Sequence, residues 1–132
     1  MSDYVIDASA LIMALSQKNA IGSAIRAILD GNRTHAPALI DAEAGQALRK
    51  LERHGKIDDE EARTGLAALR RLVDDRYEHG PFLAEAWRLR HTITFYDGLY
   101  VSLAASLGVP LLTSDEKLSK APGLSCAIQL IR

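Results

Sequence analysis

A chain of 132 residues with 48% hydrophobic, 25% charged and 5% aromatic residues has the size and balance of one compact domain and too little polarity for a disordered segment. Its net charge of −1 excludes neither nucleic acid nor cations as partners, whereas its single cysteine, Cys126, with no CxxC or Cys/His spacing around it, excludes a disulfide framework and a structural zinc. No apolar run approaches the roughly 20 residues of a membrane-spanning helix, and no basic-then-apolar leader opens the sequence, so a cytoplasmic protein with one domain over residues 1–132 is expected.

Periodicity and breakers divide the chain into alternating strands and helices. Tyr4-Val5-Ile6 is a short β-like run, and Asp7-Ala8-Ser9 opens a helical pattern to about Leu15. Ile21, Ile25, Ile28 and Leu29 mark a second helix closed by Gly31. After a brief strand at Thr34 to Ala36, Pro37 suits the first turn of a third helix, whose stripe of Ile40, Ala44, Ala47, Leu48 and Leu51 ends before Gly55. Asp58, Asp59, Glu60 and Glu61 place negative charge at the start of a fourth helix carrying Leu66, Leu69, Leu72 and Val73. A strand fits around Arg76-Tyr77-Glu78, before Pro81 starts a helix through about Arg90. Thr94 to Asp97 has capping-box spacing, and Tyr96, Leu99, Tyr100, Leu103 and Leu107 give a helix that stops at Gly108. Val109 to Thr113 is an apolar strand, Ser114-Asp115 opens a short helix, and Ala127 to Ile131 is a closing strand. Short apolar strands separated by helical crossovers predict a mainly parallel sheet covered on both faces, with ligands bound outside the carboxyl ends of the strands.

That rule draws attention to the acids. Asp7 directly follows the first strand and Asp115 follows Leu111-Leu112-Thr113, so both face the same sheet edge. Each also reads as a helix cap, and Asp97 as the acidic member of a capping box with Thr94. Glu43 lies at one margin of the third helix's apolar stripe and Asp41 at the other, and periodicity does not choose between them. Bases cluster at Arg49, Lys50, Arg53 and Lys56, at Arg70, Arg71 and Arg76, and at Arg88, Arg90 and His91, where they suit either a phosphate backbone or a solvated helix face. Cys126 reads as core filler, and His35, His54, His79 and His91 as surface residues. Several carboxylates at one edge need a cation to hold them together. Mg²⁺ or Mn²⁺ takes oxygen ligands, retains waters and activates one of them for in-line attack on phosphorus.

The segments Val5-Ile6-Asp7-Ala8-Ser9, Pro37-Ala38-Leu39-Ile40-Asp41-Ala42-Glu43, Tyr96-Asp97-Gly98-Leu99-Tyr100-Val101 and Leu112-Thr113-Ser114-Asp115 resemble the PIN domain, and in size and order the VapC toxins of toxin–antitoxin pairs. The resemblance covers essentially the whole chain. It implies a three-layer α/β/α sandwich with a mainly parallel central sheet. It further implies a metal site of Asp7, Glu43, Asp97 and Asp115 holding Mg²⁺ or Mn²⁺, with Ser9 and Thr113 as supporting polar residues and Asp41 outside the set. The implied activity is endoribonucleolytic RNA cleavage by metal-activated water. The implied partners are an RNA substrate, a VapB-type antitoxin protein and a second copy of the chain in a homodimer.

Other classes lack their residues. There is no GxxxxGKS/T loop, GxGxxG turn, GxSxG elbow or HExxH pair. A receiver domain would need an acidic pair at the first strand, and a haloacid-dehalogenase-like phosphatase a second Asp after Asp7. One Trp and two Phe give little platform for sugars. The alternative from a different class is a catalytically silent PIN-like module that binds RNA or a partner; it would be indifferent to chelator and to Asp7→Asn.

Overall fold

A computed structural model describes residues 2–16 and 18–131. The first strand, β1 (Asp3–Ile6), leads through α1 (Ala8–Ser16) and α2 (Ala20–Gly31) to β2 (Arg33–Pro37). Helices α3 (Leu39–Arg53) and α4 (Asp59–Leu72) precede β3 (Asp75–Tyr77). A single 3-10 turn (Gly80–Phe82) then runs into α5 (Leu83–Arg88), followed by α6 (Phe95–Leu107), β4 (Leu111–Thr113), α7 (Glu116–Ser119) and β5 (Ile128–Leu130).

All strand pairs are parallel and the sheet order is β3-β2-β1-β4-β5. The chain therefore builds outward from β1 through β2 to β3, then crosses back to add β4 on the other side of β1. That reversal creates a crevice between the carboxyl ends of β1 and β4. Parallel neighbours must be joined by crossovers, and their right-handedness distributes the helices over both faces. Helices α1 to α4 pack against one another, with α1 meeting β4 and α3 meeting β2, while α5 and α6 form the second layer, α6 lying on β1, β2 and β4. The expected α/β/α sandwich is the observed one.

The central strands show why the sequence folds this way. Val5 and Ile6 of β1 and Leu111 and Leu112 of β4 are each 0% exposed, because a strand covered on both faces has no solvent side and carries a continuous apolar run rather than an alternating one. Ile25, Ile40, Leu103 and Tyr100 complete the core from the two helical layers.

Several local expectations are refined. Gly108 closes α6 in the left-handed conformation at φ 68°, the geometry that favours glycine there. Gly31, by contrast, is the last helical residue of α2, and closure comes from Asn32, whose Nδ2 donates to the Ile28 carbonyl at 2.8 Å. Pro37 ends β2 rather than starting α3. Helix α3 has no side-chain cap of its own, and its Leu39 N–H donates instead to His79 Nε2 at 3.0 Å, a distant imidazole doing what a neighbouring Ser or Asp usually does. Helix α4 carries a full capping box between Asp58 and Glu61. The expectation that all four histidines lie on the surface is wrong for His35. It is 6% exposed, with Nε2 3.0 Å from Asp3 Oδ2 and Nδ1 2.8 Å from the Tyr77 hydroxyl, so its polar atoms are satisfied in a strand that is buried from Thr34 to Pro37 whichever way its side chains point. Cys126 is half-buried against the core, and burial pushes its thiol up to about 11.

The approach of α5 to α6 depends on Gly98. A Cβ there would lie 2.9 Å from the Ala86 Cα, a backbone atom that cannot swing aside. Gly98→Ala is accordingly expected to lower stability by about 1–3 kcal/mol in urea titrations, the usual cost of overpacking, and an unchanged midpoint would mean that the helices separate freely.

Candidate active site at the carboxyl edge of the sheet

Asp7 is the first residue beyond β1 and is 4% exposed. Its Oδ1 accepts the Ser9 hydroxyl at 2.7 Å and the Ala10 N–H at 3.0 Å, and its Oδ2 accepts the Thr113 hydroxyl. The capping reading of Asp7 is thus part of the truth, since the Ala10 bond satisfies one open amide at the start of α1. Thr113, at the end of β4, in turn accepts the Asp115 N–H at 3.0 Å, and Ser9 accepts the Ser114 N–H at 3.2 Å. Two hydroxyls therefore stitch the loops after β1 and β4 together around one carboxylate. Ser9 and Thr113, the two residues that the resemblance implied as supporting polar groups, both donate to Asp7.

Asp115 caps α7, its Oδ1 accepting from the Lys117 and Leu118 N–H groups at 2.9 and 3.3 Å, and its Oδ2 has no protein donor among the described residues. Asp97 sits in the first turn of α6, with its backbone N–H donating to the Thr94 hydroxyl at 3.1 Å. Glu43, one turn into α3, accepts the Tyr100 hydroxyl on Oε1 at 2.6 Å. Tyr100 is 1% exposed and lies three residues beyond Asp97 on α6, so it shares that helix face and ties the helix bearing Asp97 to the helix bearing Glu43. Sequence reading counted Tyr100 only as a core residue. Its apolar ring does belong to the core, and the one available signal was that a buried tyrosine hydroxyl needs a partner.

Asp41 has a different fate. Arg76 donates to it from Nε at 2.8 Å and from Nη2 at 2.9 Å, a forked ion pair that also removes Arg76 from any phosphate-binding role. Of the two acids at the margins of the α3 stripe, one is neutralised and only Glu43 faces α6.

The four carboxylates influence one another. Burial raises the Asp7 carboxyl above its ordinary range against the pull of the Thr113, Ala10 and Ser9 hydrogen bonds, and the charge of Asp115 adds to the rise. Burial also raises Asp97, reinforced by Asp7 and Asp115, and it raises Glu43, where Tyr100 opposes and Asp97 adds. Burial and the Glu43 contact push the Tyr100 phenol up, so the hydroxyl stays a donor. None of Asp7, Glu43, Asp97 and Asp115 joins an ion pair among the described residues. They are nevertheless not a finished ligand shell. Among the described residues no group of three or more His, Cys, Asp and Glu side chains is close enough together to hold a metal ion as it stands. The donor set still suits a hard cation of the Mg²⁺ kind, which takes one or two carboxylates directly and keeps several waters.

The metal-free chain should record this repulsion in its stability. Because folding raises the Asp97 carboxyl, the folded state holds that proton more tightly than the unfolded chain. Ionisation then opposes folding: the cost is absent below the ordinary carboxylate range and fully present once pH has risen through the raised folded value. Asp97→Asn removes it. In EDTA the variant is expected to melt a few degrees above the parent at pH 7.5, with the margin shrinking toward pH 4; a parent that melts higher at pH 7.5 would contradict the assigned sign.

The chain matches the PIN domain family over residues 4–124. It is 49% identical to Ribonuclease VapC1 of Mycobacterium tuberculosis over 133 aligned residues that span 100% of each chain. Ribonuclease VapC3 of the same organism is 39% identical, over 89% of this chain and 85% of that one. Among solved structures, a chain of VapBC2 from Rickettsia felis bound to a DNA fragment from their promoter superimposes with a TM-score of 0.71 at 13% identity, covering 98% of this chain and 99% of that one, a likeness of fold. Among the described residues no helix is long and apolar enough to cross a membrane.

Proposed function

The chain belongs to the PIN domain family, and from that premise we propose that it is a Mg²⁺- or Mn²⁺-dependent endoribonuclease, the toxin of a VapBC-type pair, restrained by a small antitoxin protein. The single observation that carries the reading is a set of carboxylates at one edge of the sheet, Asp7 joined to the β4 end by Thr113, Asp97 and Asp115 lining one cleft and Glu43 tied to α6 by Tyr100, with no cationic side chain paired to any of them among the described residues. The full-length identity to a protein named a ribonuclease supports it.

Asp7, Glu43, Asp97 and Asp115 are the side chains that would hold the cation, directly or through water. Asp7 fixes the geometry from below, with most of its acceptor capacity given to Ser9, Ala10 and Thr113. A bound Mg²⁺ or Mn²⁺ supplies positive charge against the phosphoryl oxygens and a water acidic enough to attack phosphorus. A carboxylate oxygen of the site would accept that water's proton, and Oε2 of Glu43 is suited to do so because the Tyr100 hydroxyl occupies only Oε1. The catalytically silent alternative would leave unexplained why four carboxylates are kept near one another without counter-charges.

Purified protein incubated with total RNA and Mg²⁺ or Mn²⁺ is expected to cut at discrete sites, and the cuts should vanish with excess EDTA and with folded Asp97→Asn. Cleavage that survives both controls points to a contaminating enzyme, and affinity without cleavage in the presence of metal points to the silent module. A finer test concerns Tyr100, which touches no substrate in this reading and acts only by positioning Glu43. Tyr100→Phe should weaken Mn²⁺ binding measured by calorimetry by about tenfold, the usual effect of losing a partner behind a ligand, while thermal unfolding without metal changes little. Unaltered Mn²⁺ affinity would remove Glu43 from the metal site.

A further inference from the structure

Beside the carboxylates lies a cleft of about 450 Å³ whose acidic end is Asp97 and Asp115 and whose other lining includes Arg90, His91 and Lys117. Acids and bases share this cleft without neutralising each other: no ion pair of Arg90 or Lys117 occurs among the described residues. Arg90 is nonetheless held in place. Its guanidinium lies 4.6 Å from the centroid of the Trp87 ring, and its Nη1 donates to the Trp87 carbonyl at 2.9 Å, which leaves most of its donors uncommitted. Trp87 itself is 60% exposed, although an indole is costly to leave in water. Lys117 enters from the other side, its backbone anchored by an N–H that donates to the Asp115 carboxylate at 2.9 Å.

A pinned guanidinium and an unpaired ammonium next to an acidic edge match a polyanion whose one phosphate sits at the carboxylates and whose neighbour needs positive charge. Resting on the nuclease reading, we propose that Arg90 and Lys117 grip the phosphate of single-stranded RNA adjacent to the one cleaved, on the Asp97 and Asp115 side, with the Trp87 indole as the surface that orients Arg90 beneath the strand. A duplex fits less well, because a cleft of this size admits a single backbone and the exposed indole offers a flat face to an unpaired base.

The test uses the full chain in EDTA with a fluorescein-labelled 2′-O-methyl oligouridylate, so that binding is read by anisotropy without cleavage. Trp87 is the only tryptophan, and its emission reports whether the strand lies here. Arg90→Gln is expected to weaken binding about tenfold and Lys117→Gln about three- to tenfold. Each should lower the slope of log affinity against log salt by about 1, while Arg70→Gln on the far helix changes neither. Saturable quenching of Trp87 by the oligonucleotide, with weaker binding to a duplex, supports the assignment. Wild-type affinity and salt slope in folded Arg90→Gln and Lys117→Gln would overturn it, leaving the nuclease intact if metal-dependent cleavage persists. Trp87 emission that instead changes with protein concentration alone would also overturn it, showing the patch to be a contact between copies of the chain.

Discussion

The Asp7 carboxylate, buried between the ends of β1 and β4 and held by Ser9, Ala10 and Thr113, is the constraint on which the rest of the molecule depends. A charge in that position is costly unless each oxygen is satisfied, and the two hydroxyls that satisfy it come from different loops. Joining them fixes the separation of the strand ends, and that separation sets where Asp115 starts its own helix. The remaining carboxylates arrive from the other layers, Glu43 on α3 and Asp97 on α6, coupled through Tyr100. Structure and chemistry are opposed here: hydrogen bonds retain the charge, whereas burial resists it.

The fold was legible because its evidence is local and repeated. Apolar runs such as Leu111-Leu112 identify buried strands, and Gly108 stops α6 by taking the left-handed conformation. Less was legible where a residue's role depends on something distant in sequence. His79 capping α3, His35 accepted into the core by Asp3 and Tyr77, and Arg76 neutralising Asp41 are each pairings across more than thirty residues that no periodicity encodes. Pro37 was misassigned for a related reason. It belongs to the last position of β2, where it needs no N–H for the ladder, and helix-start statistics cannot see the neighbouring strand.

The site divides the same way. Asp7 and Asp115 are readable from strand ends, since the parallel sheet brings those ends to one edge by construction. Asp97 also read as a helix cap, and periodicity did not separate Glu43 from Asp41 until family resemblance selected it; the two differ in their contacts, Glu43 meeting Tyr100 and Asp41 meeting Arg76. How closely the four carboxylates approach one another was not readable at all, because that is a property of three dimensions, and among the described residues they stop short of a finished ligand shell.

The strand order has a consequence for the birth of the molecule. β1 precedes its neighbour β4, and the Thr113 hydroxyl that completes Asp7, by more than one hundred residues. Non-local pairing of this kind makes folding wait for the far end of the chain. A chain that stops short of β4 carries Asp7, Glu43 and Asp97 but has no crevice to gather them. The edge of the sheet where the carboxylates meet therefore exists only in a polypeptide long enough to have closed it.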